Sequence, residues 1–329
     1  MKDRRTFIGS LAVTALIGPR TVPAESVRNV HRIGFLAGTS RDAQPHLIDA
    51  FEAGLRERGY VPGANIVIDY RFAEGRYERL PGLAAELVRL NVDVIVATTT
   101  PAVLAARNAT GTIPIVMFSA GDPVGLGLIA SLARPSGNVT GLTYSVGLET
   151  FGKQLELLKE AVPGIRRVAV LSNPANPGAA LAISNLKVAA LSLGVQLQLL
   201  EIRDPDQFDG AFAAMAKERA EALLVVSDAF FGVHGARLAD LAARYRLPSM
   251  HGVRELVEAG GLMNYGPSMP DNFRRGAGYV DKILRGSSPG DLAVQQPLKF
   301  ELVINLKAAK MLGITLPQSM VLRADELIQ

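Results

Sequence analysis

Asp93-Val-Ile-Val-Ala-Thr-Thr-Thr-Pro-Ala102 compresses one structural unit into ten residues. Four β-favouring or small apolar residues follow Asp93 without alternation, the pattern of a short strand covered on both faces, which belongs to parallel sheets. Three threonines and a proline come next. A hydroxyl residue ahead of Pro101 fixes a helix start, because the side chain caps an unpaired N–H and proline sacrifices none. Strand, polar loop and capped helix in that order are the repeating element of an open α/β sheet, in which ligands sit outside the carboxyl ends of the strands.

The same order recurs on both sides. Apolar runs predict strands at Arg32–Ala37, Asn65–Tyr70, Asp93–Ala97 and Ile115–Ser119, then at Arg167–Ser172, Val195–Glu201, Ala222–Ser227 and Leu247–Met250. Helical spacing predicts His46–Arg58, Tyr77–Leu90, Pro177–Leu193 and Phe208–Arg219, with Gly59 and Gly194 ending two of them in left-handed backbone. Arg32-Ile-Gly-Phe-Leu-Ala corresponds in type to Arg167-Val-Ala-Val-Leu-Ser, and Asp93-Val-Ile-Val-Ala-Thr to Ala222-Leu-Leu-Val-Val-Ser. The fold class is therefore α/β, with two doubly wound parallel-sheet lobes. The 329 residues, 48% hydrophobic and 20% charged, suffice for two cores. Two like lobes meeting face to face leave a cleft.

The loops after the strands supply its polar residues: Gly38-Thr39-Ser40, Thr98-Thr99-Thr100, Ser119-Ala-Gly-Asp122, Asn173-Pro-Ala-Asn176 and Ser227-Asp228. Helix N-termini among them can stabilise a carboxylate without a lysine. Thr100, Asp122 and Asn176 serve equally well as simple helix caps, so the convergence of five loops weighs more than any one residue. Asp122 or Asp228 could instead pair with a ligand ammonium; Tyr144, Phe230 and Tyr265 could pack on an apolar or ring portion, or belong to the core. His251, just after the eighth strand, is the one histidine positioned to reach the cleft. His31, His46 and His234 are too scattered for a metal motif, and no metal or cofactor is expected.

Three other motifs lose their context. Gly125-Leu-Gly127-Leu-Ile-Ala130 has dinucleotide spacing, with Glu149 downstream, but follows Asp122-Pro123 rather than a first strand. Gly147 to Lys153 has phosphate-loop spacing, yet Gln154 stands where magnesium needs a hydroxyl. Gly286-Ser-Ser-Pro-Gly290 follows a helix, so no nucleophile elbow forms. No convergent acid–base or nucleophile set emerges, and no enzyme is expected.

At the N-terminus, Arg4-Arg5-Thr-Phe7-Ile8 leads into an apolar run to Ile17 and on to Val22-Pro23-Ala24. This is the pattern of a removable export signal over residues 1–24; the arginine pair fits the twin-arginine route, and a basic n-region fits the general one. Cleavage after Ala24 would remove Lys2, Arg4, Arg5, Arg20 and Asp3, taking the 35 basic and 31 acidic residues to 31 and 30, a net charge of +1 instead of +4. The mature chain then gives no composition-level case for a nucleic-acid partner. Without cysteine there is no disulfide, thiolate metal site or lipid-modified N-terminal cysteine. Nor is there a later apolar segment of membrane-spanning length, so no stable membrane insertion is expected; the export signal makes the periplasm the expected location.

Longer stretches carry a resemblance. Arg32-Ile-Gly-Phe-Leu, Phe51-x-x-Gly54-Leu-x-x-x-Gly59-Tyr, the quoted Asp93–Ala102 run, Thr112-Ile-Pro-Ile-Val, Gly121-Asp-Pro-Val, Ser136-Gly-Asn-Val-Thr-Gly141, Gly260-Gly-Leu-Met-Asn-Tyr-Gly266 and Gln296-Pro-x-Lys-Phe-Glu-Leu-Val-Ile-Asn-Leu-Lys together resemble the ABC-transporter substrate-binding proteins of the type that includes tryptophan binders. The resemblance implies a type I periplasmic-binding-protein fold with a three-stranded hinge, its crossings near Leu142–Val146, Tyr265–Ser268 and Leu292–Gln296. Lobe one is expected over residues 30–143 and 267–293, lobe two over 144–266 and 294–329. It also implies binding positions at Thr39, Ser40, Thr99, Thr100, Ser119 and Asp122 in lobe one and at Asn173, Asp228 and His251 in lobe two. The expected activity is capture of a small organic solute, an amino acid or an aromatic or other carboxylate, by a monomer that delivers it to an ABC permease and its ATPase. A sensing subunit for a membrane receptor shares all these features. The loop from Ala37 to Gln44 lacks the residues expected of tryptophan binders.

Overall fold

The computed structural model describes residues 30–144 and 149–329. The expected export signal and the Ser145–Val146 part of the first crossing lie outside the described residues.

The first sheet is parallel throughout. Its strands are β1 (His31–Ala37), β2 (Ile66–Phe72), β3 (Val94–Ala97), β4 (Ile115–Ala120) and β5 (Val139–Thr143), ordered β2-β1-β3-β4-β5. Helices α1 (Pro45–Arg56), α2 (Leu80–Arg89) and α3 (Thr100–Ala109) make the crossovers. β3 is buried along its whole length, as its unbroken apolar run requires. The chain leaves β1 toward β2 and then returns to the other side for β3. This reversal opens a crevice at the carboxyl ends of β1 and β3, the place where doubly wound sheets bind ligands.

The second lobe repeats the scheme. After α4 (Glu149–Ala161) come β6 (Arg167–Ser172), α5 (Gly178–Leu193), β7 (Gln196–Glu201), α6 (Phe208–Lys217), β8 (Ala222–Val225), α7 (Ala229–Val233), α8 (Gly235–Arg244), β9 (Ser249–His251) and α9 (Glu255–Glu258). β10 (Met263–Pro267), α10 (Met269–Leu284), β11 (Phe300–Asn305), α11 (Leu306–Leu312), α12 (Gln318–Arg323) and β12 (Glu326–Ile328) complete the chain. The sheet order is β12-β11-β10-β9-β8-β6-β7, with its reversal at β6 and β8. One pair departs from the expected parallel sheet: β10 and β11 are antiparallel, because the chain reaches β11 from the opposite lobe. Gly59 (φ 85°) and Gly194 (φ 64°) both adopt the left-handed backbone expected of them.

Each sheet carries an apolar cluster on both faces. Phe35, Phe51, Phe118 and Phe273 pack together on one side of the first sheet, and Phe208, Phe212 and Phe231 on one side of the second. Full burial of such a ring contributes about 2–3 kcal/mol.

The lobes are interwoven. α10 follows a strand of the second sheet but packs on α1, where Gly54 allows the closest approach: a Cβ there would stand 2.6 Å from the Arg274 carbonyl oxygen and 2.8 Å from the Ala277 Cβ. Asn272 Nδ2 fastens α10 to the ends of β4 and β5 through the carbonyls of Phe118 and Thr143 (3.3 and 3.2 Å). The third crossing comes later than Leu292. Val294 N–H donates to the Leu132 carbonyl and Gln295 N–H to that of Gly141, so both residues still run along the first lobe, and the chain changes lobes between Gln295 and β11.

Candidate functional site

The reversals of the two sheets face one another across a cleft of about 980 Å³, its open mouth included. On the first lobe its wall is built by the ends of β1 and β3. Thr99 caps α3, its hydroxyl accepting from Ala102 N–H (3.3 Å), with Pro101 in the first turn. The Thr100 hydroxyl accepts from Gly121 N–H (3.0 Å), which ties the helix start to the loop after β4. Ser119 Oγ donates to the Thr98 carbonyl (2.5 Å). By contrast the hydroxyls of Thr39 and Thr98, both in residues that line the cleft, are buried without a hydrogen-bond partner in the protein.

On the second lobe the centre is Asp228, 7% exposed. Its carboxylate caps α7 by accepting from Phe230 N–H (2.9 Å) and also accepts from Asn173 Nδ2 (3.1 Å) and Asn176 Nδ2 (2.8 Å). A fourth donor comes from the other lobe: the Tyr77 hydroxyl, 2.8 Å from Asp228 Oδ1. Burial raises the carboxyl pKa while these donors pull it down. Burial and the neighbouring acid together push the Tyr77 phenol well above its ordinary range, so it remains a donor. Tyr144, whose phenol burial pushes up to about 12, donates to the Gly252 carbonyl (2.8 Å) and closes the cleft at its hinge end. A direct bond from Tyr77 to Asp228 makes this the closed arrangement of the lobes.

Of the twelve residues expected from the sequence, the fold brings Thr39, Thr99, Thr100, Ser119, Tyr144 and Asp228 to the cleft wall. It places the other six elsewhere, each for a local reason. Ser40 Oγ accepts from Ala43 N–H and shapes the β1–α1 loop. Asp122, with φ of 37°, turns its carboxylate onto Gly125 N–H (2.9 Å). Asn173 stands behind Asp228 and reaches the cleft only through it. Phe230 packs on Phe208, Phe231 and His234 in the core beneath α7. His251 ends β9 rather than following it; it is 2% exposed, hydrogen-bonded to Ser249, and held neutral by burial that pushes its pKa down to about 3. Tyr265 stacks on Phe300 across the β10–β11 pair.

Sequence reasoning passed over Tyr77, Gln44 and Glu255, which line the cleft from helix starts or loops without a local motif. It also passed over the apolar wall of Phe151, Leu181, Met269 and Phe273. Among the described residues, Asp228 and Glu255 are the only charged side chains that line the cleft, and no lysine, arginine or histidine lines it. The cleft therefore offers acids and hydroxyls, helix starts at Thr100 and Gly178, and a broad apolar face. Among the described residues no cluster of three histidine, cysteine or acidic side chains could hold a metal, and no helix is long and apolar enough to cross a membrane.

Comparison with known proteins agrees with this architecture. A tyrosine-binding protein of Clostridioides difficile (strain R20291) is 26% identical over 279 residues, 84% of this chain and 80% of the relative. A conserved domain protein from Vibrio cholerae superposes with a TM-score of 0.85 at 30% identity, covering 91% of this chain and 99% of that one. A Streptococcus pneumoniae ABC domain in complex with L-Trp superposes with the same TM-score and coverage at 24% identity. Residues 32–328 match the family described as ABC transporter substrate binding protein, and the chain belongs to that family.

Proposed function

We propose that this solute-binding protein captures an amino acid with a large apolar or aromatic side chain, outside the cytoplasm, and delivers it to an ABC permease and its ATPase. The observation that carries the reading is the composition of the cleft wall among the described residues: two acids and no basic side chain, hydroxyls at a helix start, and an apolar face large enough for a ring. An α-ammonium group suits Asp228 or Glu255, and an α-carboxylate suits the N–H groups and hydroxyls around Thr99 and Thr100. Thr39, Ser119 and Tyr144 complete the polar wall in this proposal. The relatives named for tyrosine and bound to L-Trp support the ligand class. The paired arginines before an apolar run support export, with the twin-arginine route as the finer reading.

Capture works by hinge closure. A solute that touches both walls only when the lobes meet shifts the open–closed balance by its differential affinity for the closed form. Turning a mostly open population into a mostly closed one needs about 5.5 kcal/mol. One buried ring and a few charge-assisted hydrogen bonds reach that figure.

The test is thermal unfolding of the purified mature chain with L-tyrosine, L-tryptophan, L-phenylalanine, tyramine and 4-hydroxyphenylpropionate. An amino acid at 100 times its dissociation constant adds about 2.7 kcal/mol. Tyramine, without the carboxylate, and the propionate, without the amine, should each stabilise far less. Stabilisation by none of the three amino acids sinks the assignment.

A further inference from the structure

We propose that His46 and Glu255 form a proton-sensitive clasp across the mouth of the cleft, so that the closed conformation is favoured in mildly acidic surroundings and relaxes in alkaline ones. The clasp rests on the hinge closure proposed above. His46 lies on α1 of the first lobe and Glu255 opens α9 of the second; His46 Nε2 stands 3.4 Å from Glu255 Oε1. The pair is therefore made only when the lobes meet. Glu255 is the more sequestered partner, its side chain 13% exposed against 39% for His46.

What leaves Glu255 for the histidine is the engagement of its neighbour. Arg254 is the nearest cation of Glu255's own lobe in sequence, but its guanidinium holds both oxygens of Glu326 (2.6 and 2.7 Å) and Glu258 Oε1 (2.6 Å). The counter-charge for Glu255 thus comes from across the cleft. The charged groups facing the imidazole are Glu255 and Glu258, which favour its protonated form, and Arg254, which opposes it; the hydrogen bond to Glu255 dominates and raises the pKa.

When the lobes part, His46 loses these acids and returns toward its ordinary value near 6.5. The closed state consequently binds more protons than the open one. Its advantage is complete below the ordinary value and disappears as pH rises through the raised one. Tyr77 and Asp228, the other link across the cleft, give a contact whose donor does not titrate in this range. The clasp supplies the graded part of closure.

The chain has no cysteine, so two introduced ones label it cleanly. Gly82 on α2, where a Cβ meets nothing within 4 Å, and Leu191 on α5, 84% exposed, carry spin labels on opposite lobes. Pulsed dipolar spectroscopy on the ligand-free protein should show the closed-to-open ratio rising about 1.5- to 5-fold from pH 8 to pH 5.5, the range of a partly exposed ion pair. His46→Gln should hold the ratio at its pH 8 level throughout, and His46→Lys should hold the acidic ratio at pH 8. An unchanged ratio in the wild-type sequence, or an undiminished pH response in His46→Gln, overturns the clasp. Because no solute is present, a clear pH response alongside a failed amino-acid screen overturns only the ligand assignment.

Discussion

Tyr77 and Asp228, 151 positions apart in the chain, meet at 2.8 Å across the two lobes. Asp228 is already served by Asn173, Asn176 and the Phe230 N–H within its own lobe. Tyr77 therefore completes the acceptor shell of a buried acid at the moment of closure. An acid so occupied helps hold the cleft shut whether or not it also touches the solute.

Tyr77→Phe removes that donor and little else. A hydrogen bond to a charged group contributes about 1.5–3 kcal/mol, part of which water at the opened cleft replaces. Solute affinity, read by calorimetry with the best amino acid from the screen, should fall about 10-fold while the unfolding temperature of the solute-free protein barely moves. An affinity equal to the wild type would show that closure does not use this bond.

Thr39→Val should move stability and affinity in opposite directions. The Thr39 hydroxyl is buried and lacks a protein partner, a condition that costs about 1–3 kcal/mol. Replacing it with a methyl of similar volume should raise the solute-free unfolding free energy by about 1 kcal/mol and weaken solute binding. A loss of both would mean that the hydroxyl is satisfied in the solute-free protein.

His251 sets an acid limit on the second lobe. Its pKa is pushed down to about 3 by burial alone, against 6.5 in the unfolded chain. Between those values the unfolded state binds the extra proton, so stability present above pH 6.5 is lost as pH falls. The loss should reach about 2 kcal/mol at pH 5 relative to neutrality. Urea unfolding at the two pH values should show this drop in the wild type and a smaller one in His251→Gln.

Gly54→Ala tests the grip of α10 on α1. The added Cβ would press on the Arg274 carbonyl and Ala277, and overpacking of this kind costs about 1–3 kcal/mol. Chemical denaturation should register the loss. A neutral result would mean that α10 can slide.

The strand–loop–helix units of both lobes were legible in the sequence because their causes are local. Strands covered on both faces read as unbroken apolar runs at β1, β3, β4, β6 and β8, and Thr99-Thr100-Pro101 announces a helix start whatever surrounds it. The strands that escaped are β5, β10, β11 and β12, which stand beside or beyond the crossings between the lobes or at a sheet edge. β10 and β11 pair antiparallel only because the chain has crossed the hinge between them, and β12 is three partly buried residues at a sheet edge.

The sequence by itself determined the α/β class, the doubling of the lobes and the polar loops at the strand ends, since burial, capping and turn chemistry act over a few residues. Tertiary structure alone decided which side chains meet at the cleft: it turned Phe230, His251 and Asp122 away and brought Tyr77, Gln44 and Glu255 in. Contact across a cleft depends on how two lobes close on each other, a relation between residues 150 or more positions apart that no local pattern encodes.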